Sequence, residues 1–257
     1  MDAQTHRQLI LDQFTRQAIP FAEIPAHSNA ETNAIVLETA GITNRDVVLD
    51  VACGPGLITC DVARRACWVV GVDLTPAMLA QAQTRQQQMR LDNLLWMQAD
   101  GEQLPWCDAS FSVVMTRYSF HHLLHPQRML AEMMRVCQPG GRIVVIDVFS
   151  QSPEQAAAYD ELERWRDPSH VHALSFVALV ELLESAGVRS IRRAFYKVEM
   201  ELEQSLRASF PHAGDSDRIR ERLTADVGVD RLGMGAERRG DQIWFAYPIV
   251  VLVGEKP

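Results

Sequence analysis

The sequence predicts an α/β fold built on an open, mostly parallel sheet with helices on both faces. Three observations carry that prediction. Short apolar runs alternate along the chain with stretches of helical periodicity, the pattern of strand, helix and strand units. One run, Val47-Val48-Leu49-Asp50-Val51, passes at once into a turn built on Gly54, Pro55 and Gly56 and then into a helical stretch over 57–66. A chain of 257 residues is long enough for one such domain with a small insertion, or at most two small domains.

Taken in order, residues 5–18 place Leu9, Ile10, Phe14 and Ala18 at helical spacing, with Pro20 expected to stop the helix. A second helix over 31–40 ends at Gly41. The glycine turn follows the first strand, and a second strand over 68–73 ends in Asp73, with Pro76 well placed in the first turn of the next helix. A third short strand covers 94–97. The fourth, with its lead-in from Asp108, runs to Met115 and delivers Arg117-Tyr118-Ser119-Phe120-His121-His122 to its carboxyl end, where ligands bind in open α/β sheets. A helix over 126–136 and a tight Gln138-Pro139-Gly140-Gly141 turn lead to a fifth strand over 143–148. Beyond it come a helix over 153–166, a loop through His172 and a periodic helix from Ser175 that ends at Gly187. A strand over 188–200, a helical stretch over 201–227 broken near 211–216, and a long last strand over 243–253 complete the chain.

The glycine turn suits a ligand, because glycine permits torsions and close approaches that a side chain forbids, and the first amides of the next helix face it. Spacing sorts the ligands. A phosphate-cradling loop needs GxxxxGK[ST], whereas Leu57 and Ile58 follow Gly56. A dinucleotide loop needs GxGxxG, whereas Thr59 holds the place of the third glycine. Asp50 would repel a pyrophosphate and argues for a ligand with a positive group. Asp73, one strand later, is placed to accept both hydroxyls of a ribose; capping the helix that follows is its plain alternative.

Six segments together resemble the class I S-adenosylmethionine-dependent methyltransferases, in the small-molecule branch related to ubiquinone and menaquinone biosynthesis. They are DVACGPG, with Ala52 where many members carry glycine, then GVD, QADGE, the strand leading to RYSFHH, QPGG, and the terminal pair of strands. The resemblance implies a Rossmann-like sheet of seven strands with the last reversed, an N-terminal helical lid and helical insertions near the C-terminus. It implies a single domain over 1–257, made of a cap over 1–40, a cofactor-binding core over 45–150 and acceptor-side insertions over 151–173 and 201–241. S-adenosylmethionine is the implied cofactor, with Asp50, Ala52, Cys53, Gly54, Gly56, Asp73, Leu74, Met78, Asp100, Gly101, Glu102 and Arg117 around it. In that likeness Met78 packs on the adenine, Asp100 accepts from its amino group, and the Gly101 amide meets a ring nitrogen. An FxxxAxxF segment, Phe14, Ala18 and Phe21, followed by His27 and Ser28, resembles the family's mobile lid.

The implied reaction is methyl transfer to an O, N or C nucleophile of a small molecule, a secondary metabolite or quinone-like acceptor. Phe14, Phe21, Tyr118, Tyr159, Trp165 and His172 are then candidates for contact with it. His121, His122 and His170 are candidates for a base, where the acceptor needs one. Two rival readings belong to other classes: the same fold catalysing a non-methylating reaction such as cyclisation, and a non-catalytic, cofactor-binding regulatory protein.

Composition sets outer limits. Hydrophobic content of 47% and charged content of 23% are ordinary for a globular chain. A net charge of -8, with no basic run beyond Arg238-Arg239, argues against nucleic acid as a partner. No apolar segment approaches the ~20 residues that span a bilayer and the first residues lack a signal-peptide core, so a cytoplasmic protein is expected. The five cysteines form no CxxC pair and are expected to be reduced, with Cys53, Cys60 and Cys67 as small buried residues. No metal is expected, since adjacent His121 and His122 diverge and no carboxylate completes a ligand set. The long last strand offers one route to a homodimer.

Overall fold

A computed structural model describes residues 2–257 and gathers eight strands into one sheet. Five strands, β1 (Val47–Val51), β2 (Trp68–Asp73), β3 (Leu94–Gln98), β4 (Phe111–Arg117) and β5 (Cys137–Val148), pair in parallel. Of the later strands, β6 (Arg189–Glu201), β7 (Glu237–Arg239) and β8 (Gln242–Glu255), β8 runs antiparallel between β5 and β6. The order is β3-β2-β1-β4-β5-β8-β6, with the three-residue β7 folded back on β8 as an eighth strand beside the seven-strand path. The chain therefore steps outward from β1 to β3 and returns to the other side of β1 with β4. That reversal opens a crevice at the carboxyl ends of β1 and β4.

Helices α1 (Ala3–Glu23), α2 (Ala30–Ala40), α3 (Leu57–Ala63), α4 (Pro76–Met89), α5 (Pro126–Val136), α6 (Pro153–Arg166), α7 (Phe176–Ser185), α8 (Leu202–Arg207) and α9 (Asp215–Asp226) cover the sheet and its ends. The inner strands read as continuous apolar runs because both of their faces are covered. Alternate residues of β1 and β4 feed two separate cores, Val48, Val113 and Met115 on one face, Leu49, Val51 and Val114 on the other.

Three sequence expectations change. Helix α1 continues three residues past Pro20; a proline so near a helix end sacrifices one amide bond, and burial of Ile24 just beyond it holds the last turn in place. Residues 138–141 extend β5 rather than forming a tight turn, because Gly140 donates to Lys256 O (2.8 Å) and Gly141 O accepts from Lys256 (2.9 Å). Cys67 is exposed at the entry to β2, while Cys53 and Cys60 are buried and all five thiols are unpaired. Strand β8 has neighbours on both sides, which closes the route to a homodimer through it; the outer strands of the sheet are β3 and β6. No helix of the described residues is long and apolar enough to cross a membrane.

Candidate active site

A cavity of about 600 Å3 lies at the carboxyl ends of β1, β2 and β4, roofed by α1 and walled by α6, β6 and β8. That volume is within the range of roughly 300–1,000 Å3 usual for small-molecule sites. It gathers Asp50, Ala52, Cys53, Gly54, Asp73, Leu74, Met78, Asp100, Gly101, Glu102 and Arg117 from the expected cofactor side. From the expected acceptor side it gathers Phe14, Phe21, Tyr118 and Tyr159.

The turn after β1 is shaped by its backbone. Ala52 and Gly54 take left-handed torsions, φ 58° and 55°, and the Gly54 amide donates to Asp73 Oδ2 at 2.9 Å. The other oxygen of Asp73 accepts from the Thr75 amide at 2.8 Å. Asp73 is thus a cavity group that holds the two turns beside it; the N-cap of α4 is Thr75, and no side chain caps that helix, so the capping reading of Asp73 does not hold. Asp50 is fully buried; Thr59 donates to its Oδ2 at 2.5 Å, and Oδ1 has no partner. Burial pushes the Asp50 carboxyl up to about 7, with the Thr59 hydroxyl and the Arg117 charge pulling it back. Asp100 accepts from the Glu102 amide at 2.9 Å and pairs with Arg7 of α1. Arg117 donates to Asn33 Oδ1 (3.0 Å) and His27 O (3.1 Å), with its guanidinium 4.9 Å from the centre of the Tyr118 ring. Gly56 does not border the cavity. A Cβ there would come within 2.6 Å of the Trp96 ring, so packing dictates that glycine.

Of the three histidines, His121 and His122 border the cavity. Asp147, at the end of β5, accepts from His121 Nδ1 at 2.5 Å and from the Phe120 amide at 2.7 Å. Burial alone would lower the His121 pKa, but the charge and hydrogen bond of Asp147 outweigh it and the net shift is upward. His122 lies 3.1 Å from Ser169 Oγ, and burial together with the His121 charge lowers its pKa well below the usual histidine value. His170 does not reach the cavity; Asp160 holds its Nε2 at 2.7 Å, and its ring lies 5.6 Å behind that of His121. Trp165 and His172 also lie elsewhere. The Arg218 guanidinium covers the Trp165 ring at 4.7 Å, and His172 pairs with Asp160 at 2.5 Å with half of its side chain in solvent. Among the described residues no three His, Cys, Asp or Glu side chains converge as a metal site.

Sequence reading missed Asp147, Glu163, Arg166 and Tyr247. Arg166 donates to Glu163 Oε2 through Nε (2.8 Å) and Nη2 (2.5 Å), Tyr247 donates to Glu163 Oε1 (3.2 Å), and all three line the cavity. The signal was present: Tyr159, Glu163 and Arg166 follow i, i+4, i+7 spacing on α6, which puts them on one face.

Comparison with known proteins bears on the family and the fold. Residues 49–145 match the methyltransferase domain family. An uncharacterised methyltransferase of Bacillus subtilis, YcgJ, is 28% identical over 163 residues, 63% of this chain and 64% of its own. A demethylmenaquinone methyltransferase of Tropheryma whipplei is 36% identical over 107 residues, 42% of this chain and 44% of its own. The chain therefore spans less than two thirds of these relatives' length. The crystal structure of YcgJ superposes with a TM-score of 0.80 at 22% identity, over 88% of this chain and 98% of that one. A [4+2]-cyclase, SpnF, superposes with a TM-score of 0.59 at 21% identity, over 88% and 81%, which is a likeness of fold.

Proposed function

We infer that this chain, whose core is a class I methyltransferase domain, transfers a methyl group from S-adenosylmethionine to an O, N or C nucleophile of a small molecule. The observation that carries the reading is the pair of carboxylates, Asp50 and Asp73, on one cavity wall with the glycine turn between them. Asp50 keeps a buried oxygen without a partner, which suits the ammonium end of an amino-acid nucleoside. Asp73 has each oxygen fixed by an amide and retains lone pairs for two ribose hydroxyls. Leu74 and Met78 offer apolar contact to adenine, with Asp100 and the Gly101 amide as its polar partners.

When bound, the cofactor supplies a methyl carbon on a sulfonium sulfur, so the protein's work is alignment and the exclusion of water. Helix α1 serves the second task, with Phe14 and Phe21 on its cavity side. His121 serves as base where the acceptor carries a proton. Its Nδ1 is committed to Asp147, which leaves Nε2 as the basic nitrogen.

Incubation with methyl-labelled S-adenosylmethionine and a panel of phenols, amines and quinones, followed by mass analysis, tests the reading. Label in an acceptor is expected. A product of unchanged mass points instead to a cyclisation-type reaction, and cofactor binding without turnover to a regulatory protein. The base has its own test. The raised His121 pKa places the alkaline rise of kcat above the usual histidine value. Asp147→Asn removes the main upward influence, leaves burial as the largest one and moves that rise to lower pH, and His121→Asn lowers kcat by about 10² to 10⁴. An unmoved pH profile in Asp147→Asn removes His121 from the role.

A further inference from the structure

We propose that Arg166, clamped by Glu163, anchors an oxygen anion of the acceptor, so that the acceptor is an acidic hydroxyl compound, a phenol or enol, rather than an amine. The proposal rests on the methyl-transfer reading above. The ion pair lies on the inward face of α6, with Glu163 1% exposed. A pair taken out of water returns little net stability, because desolvation offsets the attraction. Folding alone therefore does not account for it. Of the five N–H donors of the guanidinium, two go to Glu163 and one to Ser209 Oγ at 3.3 Å. The others have no partner among the described residues, and Arg166 borders the cavity.

The carboxylates on this wall are otherwise engaged, which disfavours a protonated amine. Glu163 accepts from Tyr247 as well as Arg166. Asp167 accepts from Gln17 Nε2 (2.9 Å), the Ser169 amide (2.9 Å) and Ser169 Oγ (2.6 Å). His121 borders the same cavity as Glu163 and Arg166. A hydroxyl acceptor thus finds a base and a cation together. Its proton passes to His121 Nε2, and the charge left on oxygen is held by Arg166. The nucleophile's bond to the methyl carbon forms as the carbon–sulfur bond breaks, its electron pair staying on sulfur as a neutral thioether.

4-Nitrophenol, whose colour reports its ionisation, tests the anchor on protein saturated with S-adenosylhomocysteine. The native chain lowers the apparent pKa of the bound probe by about one unit or more and binds 4-nitroaniline at least ~10-fold more weakly. The double variant Glu163→Gln with Arg166→Met, which buries no lone charge, loses the shift and the discrimination. Arg166→Lys keeps the charge without the planar fork and weakens probe binding about 5-fold to 10-fold; it also carries the test if the double variant does not fold. Equal binding of the aniline and the phenol by the native chain overturns the proposal. So does a pKa shift left intact by both variants. S-adenosylhomocysteine heats measured on the same samples separate the two readings, since the anchor fails alone when those heats persist and Arg166 proves indifferent.

Discussion

Asp50 ties stability to the proposed binding of the nucleoside through one buried side chain. Its folded pKa of about 7 lies above the ordinary 3.8, so the folded chain holds that proton more tightly than the unfolded chain. The stability it contributes is present at low pH and is lost as pH rises from 3.8 to about 7. A ligand ammonium favours the ionised form. Binding of S-adenosylhomocysteine at pH 6 should therefore release about one proton, and at pH 8 almost none. Calorimetry in buffers of different ionisation heat reads this directly, and a proton count that does not change with pH would remove the ammonium from Asp50. Asp50→Asn should weaken binding ~10-fold or more and abolish the release. The sequence exposed Asp50 because an acid stands out in an apolar strand. It hid the task of Thr59, which reads only as a missing glycine, and of Asp147. The latter reaches His121 because parallel pairing sets Arg117 beside Ile146, so that the ends of β4 and β5 meet.

At the scale of elements, α1 is unusual in the face it turns inward. Its buried residues are His6, Gln13, Gln17 and Ala18, and two of these bond across the cavity mouth, His6 Nε2 to His122 O (2.7 Å) and Gln17 to Asp167. Docking by a few hydrogen bonds, each worth roughly 0.5–1.5 kcal/mol and more to a charge, allows an element to open while the sheet stays folded. Gln17→Ala should raise amide exchange in α1 by about 10-fold, from a loss of about 1.4 kcal/mol, with β1 and β4 unchanged and KM for the acceptor increased. Protection of α1 equal to that of the native chain would contradict the proposal that it acts as a lid. The spacing of Phe14 and Phe21 made this helix legible. Trp165 and His172 have the residue types that suggest ligand contact, yet Arg218 and Asp160 occupy them, partners set by how α9 packs on α6 and by a loop path that spacing does not encode.

At the scale of the molecule, the cavity joins parts of the chain that are far apart in sequence: α1, the ends of β1, β2 and β4, and the α6, β6 and β8 wall. The succession of strands and helices was readable because the apolar runs and the glycine turn are local signals, whereas the reversed last strand came from the resemblance and the spatial order of strands comes from their pairing. The wall made by α6, β6 and β8 was not readable, since it exists only once β6 and β8 bring Val198, Met200 and Tyr247 to the cavity that Glu163 also lines. A ligand that touches all these parts stabilises them as one unit. At a concentration about 100 times its dissociation constant, S-adenosylhomocysteine should add ~2.7 kcal/mol. For a chain of this size that corresponds to a rise in Tm of about 5–10 °C. Asp73→Asn should lose most of the rise while its own Tm without ligand changes little, because an amide oxygen still accepts from Gly54 or Thr75. At a fixed ligand concentration the native rise should be smaller at pH 6 than at pH 8, since Asp50 must first give up its proton. Scanning calorimetry at the two pH values decides it: a rise present at neither would withdraw the nucleoside from the cavity, and a rise equal at both would place its ammonium elsewhere.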